Sequence, residues 1–129
     1  MNSEPIPWFL VATCIAAGLS LIVMGIPLAL RRVPPNHTYG IRFVSTLADA
    51  SVWYDINARG GRHLVVLGIV YVAVFTIVLK TGQSWSAERR VLGPLVLLML
   101  ALVVDTIVLG VAASRLLATR RRESRGAAS

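Results

Sequence analysis

The sequence predicts an all-α membrane protein with three transmembrane helices and a short cytoplasmic interfacial helix between the first and the second. Two observations predict this class. Hydrophobic residues make up 56% of the chain and are grouped in three long runs. A helix needs about 20 apolar residues to cross roughly 30 Å of hydrocarbon, and the runs approach or exceed that length. Because lipid offers the backbone no hydrogen-bond partners, such runs are expected to be helical.

The first span is predicted over about residues 8–30. An acidic lead precedes it and two arginines follow it, an order typical of a retained helix, whereas a cleaved signal peptide begins with cations. Gly18 and Gly25 lie seven residues apart in this run. Small residues of this kind allow helices to approach closely in lipid. The sequence therefore predicts a retained first helix with a closely packed glycine face.

A polar loop over residues 33–62 follows the first span. Thr46 and Asp49 are three residues apart and resemble a capping box, which satisfies free N–H groups at a helix start. They predict a short helix over about residues 47–59, and Gly60-Gly61 is a typical C-terminal stop. The apolar residues of this helix form no single stripe, so we expect it to be partly buried against protein.

Two further spans are predicted over about residues 63–80 and 92–117. Residues 1–117 would then form a single transmembrane domain. The last twelve residues, 118–129, are basic and rich in small side chains. That composition is typical of disorder, and it predicts a disordered basic cytoplasmic tail.

The charge distribution predicts the orientation. Ten of the thirteen Lys and Arg residues lie on the side of the loop and the tail, and three lie on the other side of the spans. The positive-inside rule places the loop and the C-terminus in the cytoplasm and the N-terminus outside. The cations are not interleaved with stacking aromatics, so we expect no nucleic-acid partner. We expect them to contact anionic lipid headgroups instead.

The sequence contains no pattern typical of an enzyme. It has no paired catalytic carboxylates, no nucleophile–base pattern, no phosphate-binding loop and no metal-ligand spacing. His37 and His63 are isolated, and we expect each to lie at the membrane interface. The single cysteine, Cys14, excludes an intrachain disulfide. We therefore predict no enzymatic activity, no cofactor and no metal.

The most informative stretch of the chain is the loop motif, which reads Pro34-Pro35-Asn36-His37-Thr38-Tyr39-Gly40-Ile41-Arg42, followed by Thr46-Leu47, Trp53, Asn57 and Gly60. It resembles the SdpI family of small bacterial integral membrane proteins. That family reads approximately P-x-N-x-x-Y-G-I-R, then Thr-Leu, Trp, Asn and Gly at similar spacing. Phe43 is a departure, since the family pattern has Thr or another small polar residue after the arginine.

The resemblance implies a multi-pass protein of the bacterial cell (inner) membrane, of the toxin-immunity type. The founding member protects its producer from a secreted peptide toxin and is linked to signalling, because it holds a transcriptional repressor at the membrane. The resemblance therefore implies a peptide toxin or a regulatory protein as the partner.

Six loop residues are candidates either for binding a partner or for locking the loop: Asn36, Tyr39, Gly40, Arg42, Trp53 and Asn57. Glycine permits backbone conformations that other residues resist. The guanidinium of Arg42 carries five donors, so it needs a phosphate, a carboxylate or helix-end carbonyls. The two asparagines and Tyr39 can form a hydrogen-bond network. Trp53 is either an anchor at the membrane interface or an aromatic that recognises a ligand.

Asp105 lies in the middle of the third span. A carboxylate there costs roughly 2.5–3.5 kcal/mol on insertion scales, so we expect it to be protonated or paired. Two interpretations stay open. Asp105 is either a proton or substrate site, or a polar clamp between helices.

Three functional hypotheses follow. The first is a binding, immunity or envelope-signalling role through the cytoplasmic loop. The alternative is a small proton-coupled transporter or an accessory subunit of a membrane complex, with Asp105 and Arg42 as counter-charges. Three spans are few for a pore, so this alternative requires a homo-oligomer or a larger complex. A membrane enzyme acting on a lipid headgroup is the third and weakest hypothesis.

Overall fold

The computed structural model describes residues 5–127, and within that range the chain is helical with no strand. The helices are α1 (Trp8–Ala29), α2 (Val44–Leu47), α3 (Ala50–Thr81) and α4 (Ala87–Gly126). The three long helices are each long and apolar enough to cross a membrane, with mean hydropathies of 2.4, 2.4 and 2.7 in their most apolar segments. The three predicted spans are thus confirmed.

The apolar side chains of these helices lie mostly on the outside. Only 17%, 17% and 11% of the most apolar segments of α1, α3 and α4 are buried inside the protein. Large exposed side chains such as Val23, Ile77 and Leu97 cover the outer surface. An apolar belt of this extent suits hydrocarbon as the surrounding solvent.

α3 lies between α1 and α4 and packs against both. One core cluster contains Cys14, Tyr71, Phe75 and Leu98, and it joins the three long helices. A second cluster contains Val52, Ile56, Leu109 and Ala113, and it joins the start of α3 to α4. The two clusters stabilise opposite ends of α3, and the second one supports the loop.

Glycines bring α1 and α3 into close contact at two levels. Gly18 faces Gly68, and Gly25 faces Gly61. The glycines are one heptad apart on each helix, so both pairs can form when the two helices are antiparallel. A methyl group added at Gly61 would lie 2.6 Å from the carbonyl oxygen of Gly25, so no larger side chain fits. The close approach predicted from Gly18 and Gly25 is present, and its partner is α3.

The expectation that Gly60-Gly61 ends a helix was wrong. α3 starts at Ala50 and continues through both glycines to Thr81, so residues 50–59 are its first turns and no separate helix over 47–59 exists. A glycine ends a helix when it adopts a left-handed conformation. These two glycines stay helical and serve packing instead, because Gly60 contacts Ile41 and Gly61 contacts α1.

Thr46 and Asp49 do not form one capping box. The Thr46 hydroxyl accepts from the N–H of Phe43, 2.9 Å away, at the start of α2. Asp49 is the N-cap of α3, and its carboxylate accepts from the N–H groups of Ser51 and Val52. The chain therefore starts two helices here, with an exposed turn between them.

α1 ends in a left-handed residue. The N–H of Arg32 bonds to the carbonyl of Pro27, and the N–H of Arg31 bonds to that of Leu28. This is the hydrogen-bond pattern of a Schellman motif. Arg31 has φ 56°, a conformation that glycine usually adopts there. The strained position aims the Arg31 side chain at Asp55 of α3.

α4 is longer than the predicted third span. It begins after Ser86, whose hydroxyl accepts from the N–H of Arg89, and it continues to Gly126. We expected a disordered tail over residues 118–129, but the structure has helix through most of it. Arg, Ala and Glu have high helix propensity, which favours continuation of a helix that the membrane span has already nucleated.

Candidate binding site at the loop end

The loop, residues 33–43, begins with a turn built by one asparagine. The Asn36 side-chain oxygen accepts from the N–H groups of Thr38 and Tyr39, at 2.9 and 2.7 Å, and its amide nitrogen donates to the Pro34 carbonyl. An asparagine that bonds to its own following backbone fixes a turn without any larger structure. Asn36 is therefore a local organiser of the loop.

Gly40 and Asn57 join the loop to α3. The Asn57 side-chain oxygen accepts from the N–H of Ile41 at 2.6 Å, and its nitrogen donates to the carbonyls of Ile41 and Trp53. Gly40 has φ 114°, and a methyl group there would lie 2.6 Å from the Asn57 oxygen. Only glycine fits both the backbone conformation and the space.

Trp53 is fully buried, with 0% of its surface exposed. Its indole nitrogen donates to the carbonyl of Val33 at 2.9 Å. A residue without exposed surface contacts neither lipid nor a ligand in this conformation. The structure therefore places Trp53 with the loop-locking residues and not among the exposed aromatic side chains that could anchor the protein in lipid.

Tyr39 connects the loop to α1, since its hydroxyl donates to the carbonyl of Met24. Burial raises the pKa of the Tyr39 hydroxyl above its ordinary value of 10.0. The hydroxyl consequently keeps its proton at physiological pH and remains a donor. Together with Trp53 and Asn57, it fixes the loop to both neighbouring helices.

The outer surface of this end is formed by Arg42 and α2. Arg42 is exposed, and its guanidinium donates to the His37 carbonyl. Val44 is 90% exposed, and Leu47 lies one turn further on the same face of α2. Phe43 instead points inward, 3.4 Å from where a methyl group on Gly110 would be. The ring that departs from the family pattern thus packs against α4.

The start of α3 is held by Asp49. Hydrogen bonds from the Ser51 hydroxyl, then from the N–H groups of Ser51 and Val52, lower the pKa of the Asp49 carboxyl below its ordinary value. The carboxylate also lies near the positive end of the helix dipole. It therefore stays ionised in this position.

Asp105 is paired with a histidine that the sequence did not connect with it. His63 Nδ1 lies 2.5 Å from Asp105 Oδ1, between α3 and α4. The Asp105 side chain is 16% exposed and that of His63 is 42% exposed. Arg42 lines the same cavity of about 250 Å³ as Asp105, but its hydrogen bond is to the loop. The hydrogen-bond partner of Asp105 in the structure is thus His63 and not Arg42.

A second ion-pair group joins all three long helices. Asp55 of α3 lies 2.6 Å from the guanidinium of Arg31 and 3.6 Å from that of Arg120. Asp55 was not among the site residues predicted from the sequence, and Arg120 was expected in a disordered tail. One feature of the sequence could have indicated an ion pair here: Asp55 is a carboxylate in an arginine-rich part of the chain, four residues before Arg59.

The structure thus separates the predicted residues into two places. Asn36, Tyr39, Gly40, Trp53 and Asn57 meet at the loop, with Arg42 on its outer side. Asp105 is bonded to none of them and lies against His63, although it shares a cavity with Arg42. Thr46 is fully buried and bonded to Ile41 and Phe43, so it also belongs to the loop-locking group. From the sequence it was predicted as a helix cap and as one position of the loop motif.

Three apolar helices joined by an ordered, hydrogen-bonded loop define a multi-pass α-helical membrane protein. A comparison with known protein families matches residues 32–113 to the SdpI/YfhL protein family. This match covers more than half of the chain, and the chain belongs to that family. No curated protein and no solved structure matches the chain.

Proposed function

We propose that the protein has a binding role of the immunity or envelope-signalling kind, exerted through its loop end and without catalysis. One observation carries the proposal. The loop is fixed by its own hydrogen bonds to α1 and α3, yet it presents Arg42, Val44 and Leu47 on the outside. A preorganised surface loses little conformational entropy when it binds a partner.

The chemistry of this surface favours a peptide or protein partner. Val44 and Leu47 form an exposed apolar face on α2, and Arg42 adds a cation beside it. An apolar anchor next to an arginine is a typical combination at protein interfaces. A peptide toxin or a regulatory protein, as family membership suggests, fits such a surface.

We place the protein in the bacterial cell membrane with the loop and the C-terminus in the cytoplasm and the N-terminus outside. Ten of the thirteen cations flank the loop side of the spans, which supports this orientation. A membrane-impermeant thiol reagent tests it. Ser84→Cys should be labelled in intact cells, whereas Ser124→Cys should be labelled only after lysis. The reverse pattern would invert the topology.

A deletion strain tests the binding role. Cells without the protein should become sensitive to a secreted peptide toxin, and a plasmid copy of the wild type should restore survival. Val44→Asp should restore survival at least roughly tenfold less well, since a buried unpaired charge at an interface costs more than about 1.4 kcal/mol. Ser124→Asp adds the same charge on the same side but away from α2, and it should protect like the wild type. Unchanged survival of the deletion strain across a broad toxin panel would count against the proposal.

The His63–Asp105 pair favours a second candidate function, as a small proton-coupled transporter or an accessory subunit. An ionisable pair between two spans is a typical site of proton exchange. Three spans require a homo-oligomer or a larger complex for such a role. Asp105→Asn should abolish activity while the protein remains inserted and assembled. Full complementation by this variant would eliminate the candidate.

A further inference from the structure

A cleft separate from the loop surface opens between α3 and α4 at the arginine-rich end. Its volume is about 580 Å³. α3 contributes Asp55 and Arg59, and α4 contributes a face from Ile107 to Thr119. At about 1.5 Å per residue this face is about 18 Å long, more than half of the hydrocarbon thickness.

The cleft changes from apolar to cationic along its length. Ile107, Val108 and Val111 line the end that lies deeper in the span, and all three are exposed. Arg115 follows one turn later on the same helix, with Arg59 across the cleft on α3. An apolar floor under a cationic rim has the polarity of a phospholipid whose headgroup is at the membrane surface.

The two rim arginines are available for a ligand. Within residues 5–127, neither Arg59 nor Arg115 is in an ion pair, and both side chains are exposed. Asp55 also lines the cleft, but its carboxylate is already hydrogen-bonded to Arg31 and ion-paired with Arg120. The charge left at the rim is therefore positive.

We propose that this cleft binds one anionic phospholipid. Arg59 and Arg115 contact the headgroup phosphate, since guanidinium groups bind phosphate oxygens with paired hydrogen bonds. The acyl chains lie along Ile107, Val108 and Val111. The apolar groove continues past Val108 into a second cavity of about 520 Å³, which extends the surface for an acyl chain.

The lower part of the cleft distinguishes a lipid from a soluble anion. Ile107, Val108 and Val111 would contribute nothing to the binding of inorganic phosphate. For a phospholipid, they bury acyl-chain surface against the helix while the arginines hold the headgroup. A zwitterionic lipid fills the same groove, but its own cation cancels the phosphate charge and leaves both rim charges uncompensated. The site should therefore prefer a net negative headgroup.

Native mass spectrometry of the full-length protein tests this proposal. The protein is equilibrated in mixed micelles with equal amounts of phosphatidylglycerol and phosphatidylcholine, and the retained lipid is counted. The wild type should retain one phosphatidylglycerol in preference. The double variant Arg59→Gln/Arg115→Gln should lose that preference by roughly thirtyfold, since each surface cation contributes about 1 kcal/mol to anionic lipid binding.

The matched control removes the same charge outside the cleft. Arg121→Gln/Arg122→Gln lies on the exposed end of α4 and should retain phosphatidylglycerol like the wild type. Equal loss in both double variants would show diffuse electrostatic attraction and overturn the site. The proposal would also be overturned if the cleft variant kept the preference for phosphatidylglycerol, or if the wild type retained both lipids equally.

A second variant tests the apolar half without changing charge. Val111→Trp should fill the groove and lower phosphatidylglycerol retention, whereas Val103→Trp, exposed on the same helix but outside the cleft lining, should not. Inorganic phosphate should fail to displace the lipid from the wild type. If phosphate displaced phosphatidylglycerol and Val111→Trp retained the lipid like the wild type, the arginines would bind a free anion and the lipid site would be rejected.

Discussion

The two sides of α3 are packed in different ways. On the α1 side, glycines bring the backbones together and the loop adds hydrogen bonds to both helices. On the α4 side, cavities of about 580 and 520 Å³ and the His63–Asp105 pair lie between the helices. The interface between α1 and α3 is closely packed, whereas the interface between α3 and α4 contains cavities and ionisable groups.

The difference has a physical reason. Apolar side chains gain little by leaving lipid for another helix, so helix association in a membrane depends on close packing and polar contacts. The glycine pairs Gly18–Gly68 and Gly25–Gly61 supply close packing between α1 and α3. Between α3 and α4, larger side chains such as Val52, Ile56 and Leu109 make the contact. Function that needs access from the membrane is therefore more compatible with the α4 side.

The largest expected effect comes from closing the glycine contact. Gly61→Ala should destabilise the protein by about 3 kcal/mol, the upper end for overpacking, because the new methyl group meets backbone atoms of α1 that cannot rotate away. Reversible unfolding in mixed micelles measures this change. Gly93→Ala is the matched control, since nothing lies within 4 Å of the added methyl group.

Gly93→Ala should leave stability unchanged or raise it by up to about 1 kcal/mol, the difference in helix propensity. If both variants unfold like the wild type, α1 and α3 are not in the close contact described above, and the contrast between the two sides of α3 disappears.

The next effect concerns the loop. Asn57→Ala removes the partner of the Ile41 N–H, whereas the Ile41 carbonyl keeps its bond from the Thr46 hydroxyl. Leaving the part-buried N–H unpaired costs about 2 kcal/mol. Hydrogen exchange at residues 36–43 should accelerate. Thr38→Ala is the control, because Thr38 is exposed and its side chain bonds only within the turn. Equal exchange in wild type and Asn57→Ala would show that the loop is held by packing alone.

A smaller effect is expected at the His63–Asp105 pair. A double-mutant cycle with His63→Gln and Asp105→Asn should give a coupling energy of about 0.6 kcal/mol, the average for polar contacts between membrane helices. Unfolding in mixed micelles again provides the measurement. A coupling energy above about 3 kcal/mol would make the α4 side as strongly held as the α1 side and remove the distinction.

The smallest effect is a pH dependence at Asp49. Because hydrogen bonds lower its pKa in the folded state, its contribution to stability is complete above the ordinary value of 3.8 and is lost as the pH falls through the lowered value. Asp49→Asn keeps a cap oxygen but does not titrate. The difference in unfolding midpoint between wild type and variant should therefore shrink from pH 6 to pH 3. A constant difference over that range would contradict the role of the ionised carboxylate.

Much of the loop site is encoded locally. Asn36 organises residues that follow it within three positions, and the positive φ of Gly40 belongs to the same turn. These features were predictable because they depend on near neighbours. The contacts of Trp53 and Asp55 were not predictable in this way. The indole bonds to Val33 and the carboxylate bonds to Arg31, and both bonds depend on how α1 meets α3.

The sequence by itself determined the three spans, because hydrophobicity and length are properties of each segment alone, and it determined the motif that identifies the family. Only the tertiary structure decided whether Gly60-Gly61 ends a helix or packs one. A helix end and a close helix contact both favour glycine because it has no side chain. Which of the two applies here depends on α1 and Ile41 being nearby. Only the tertiary structure paired Asp105 with His63, since residues 42 positions apart meet through helix packing.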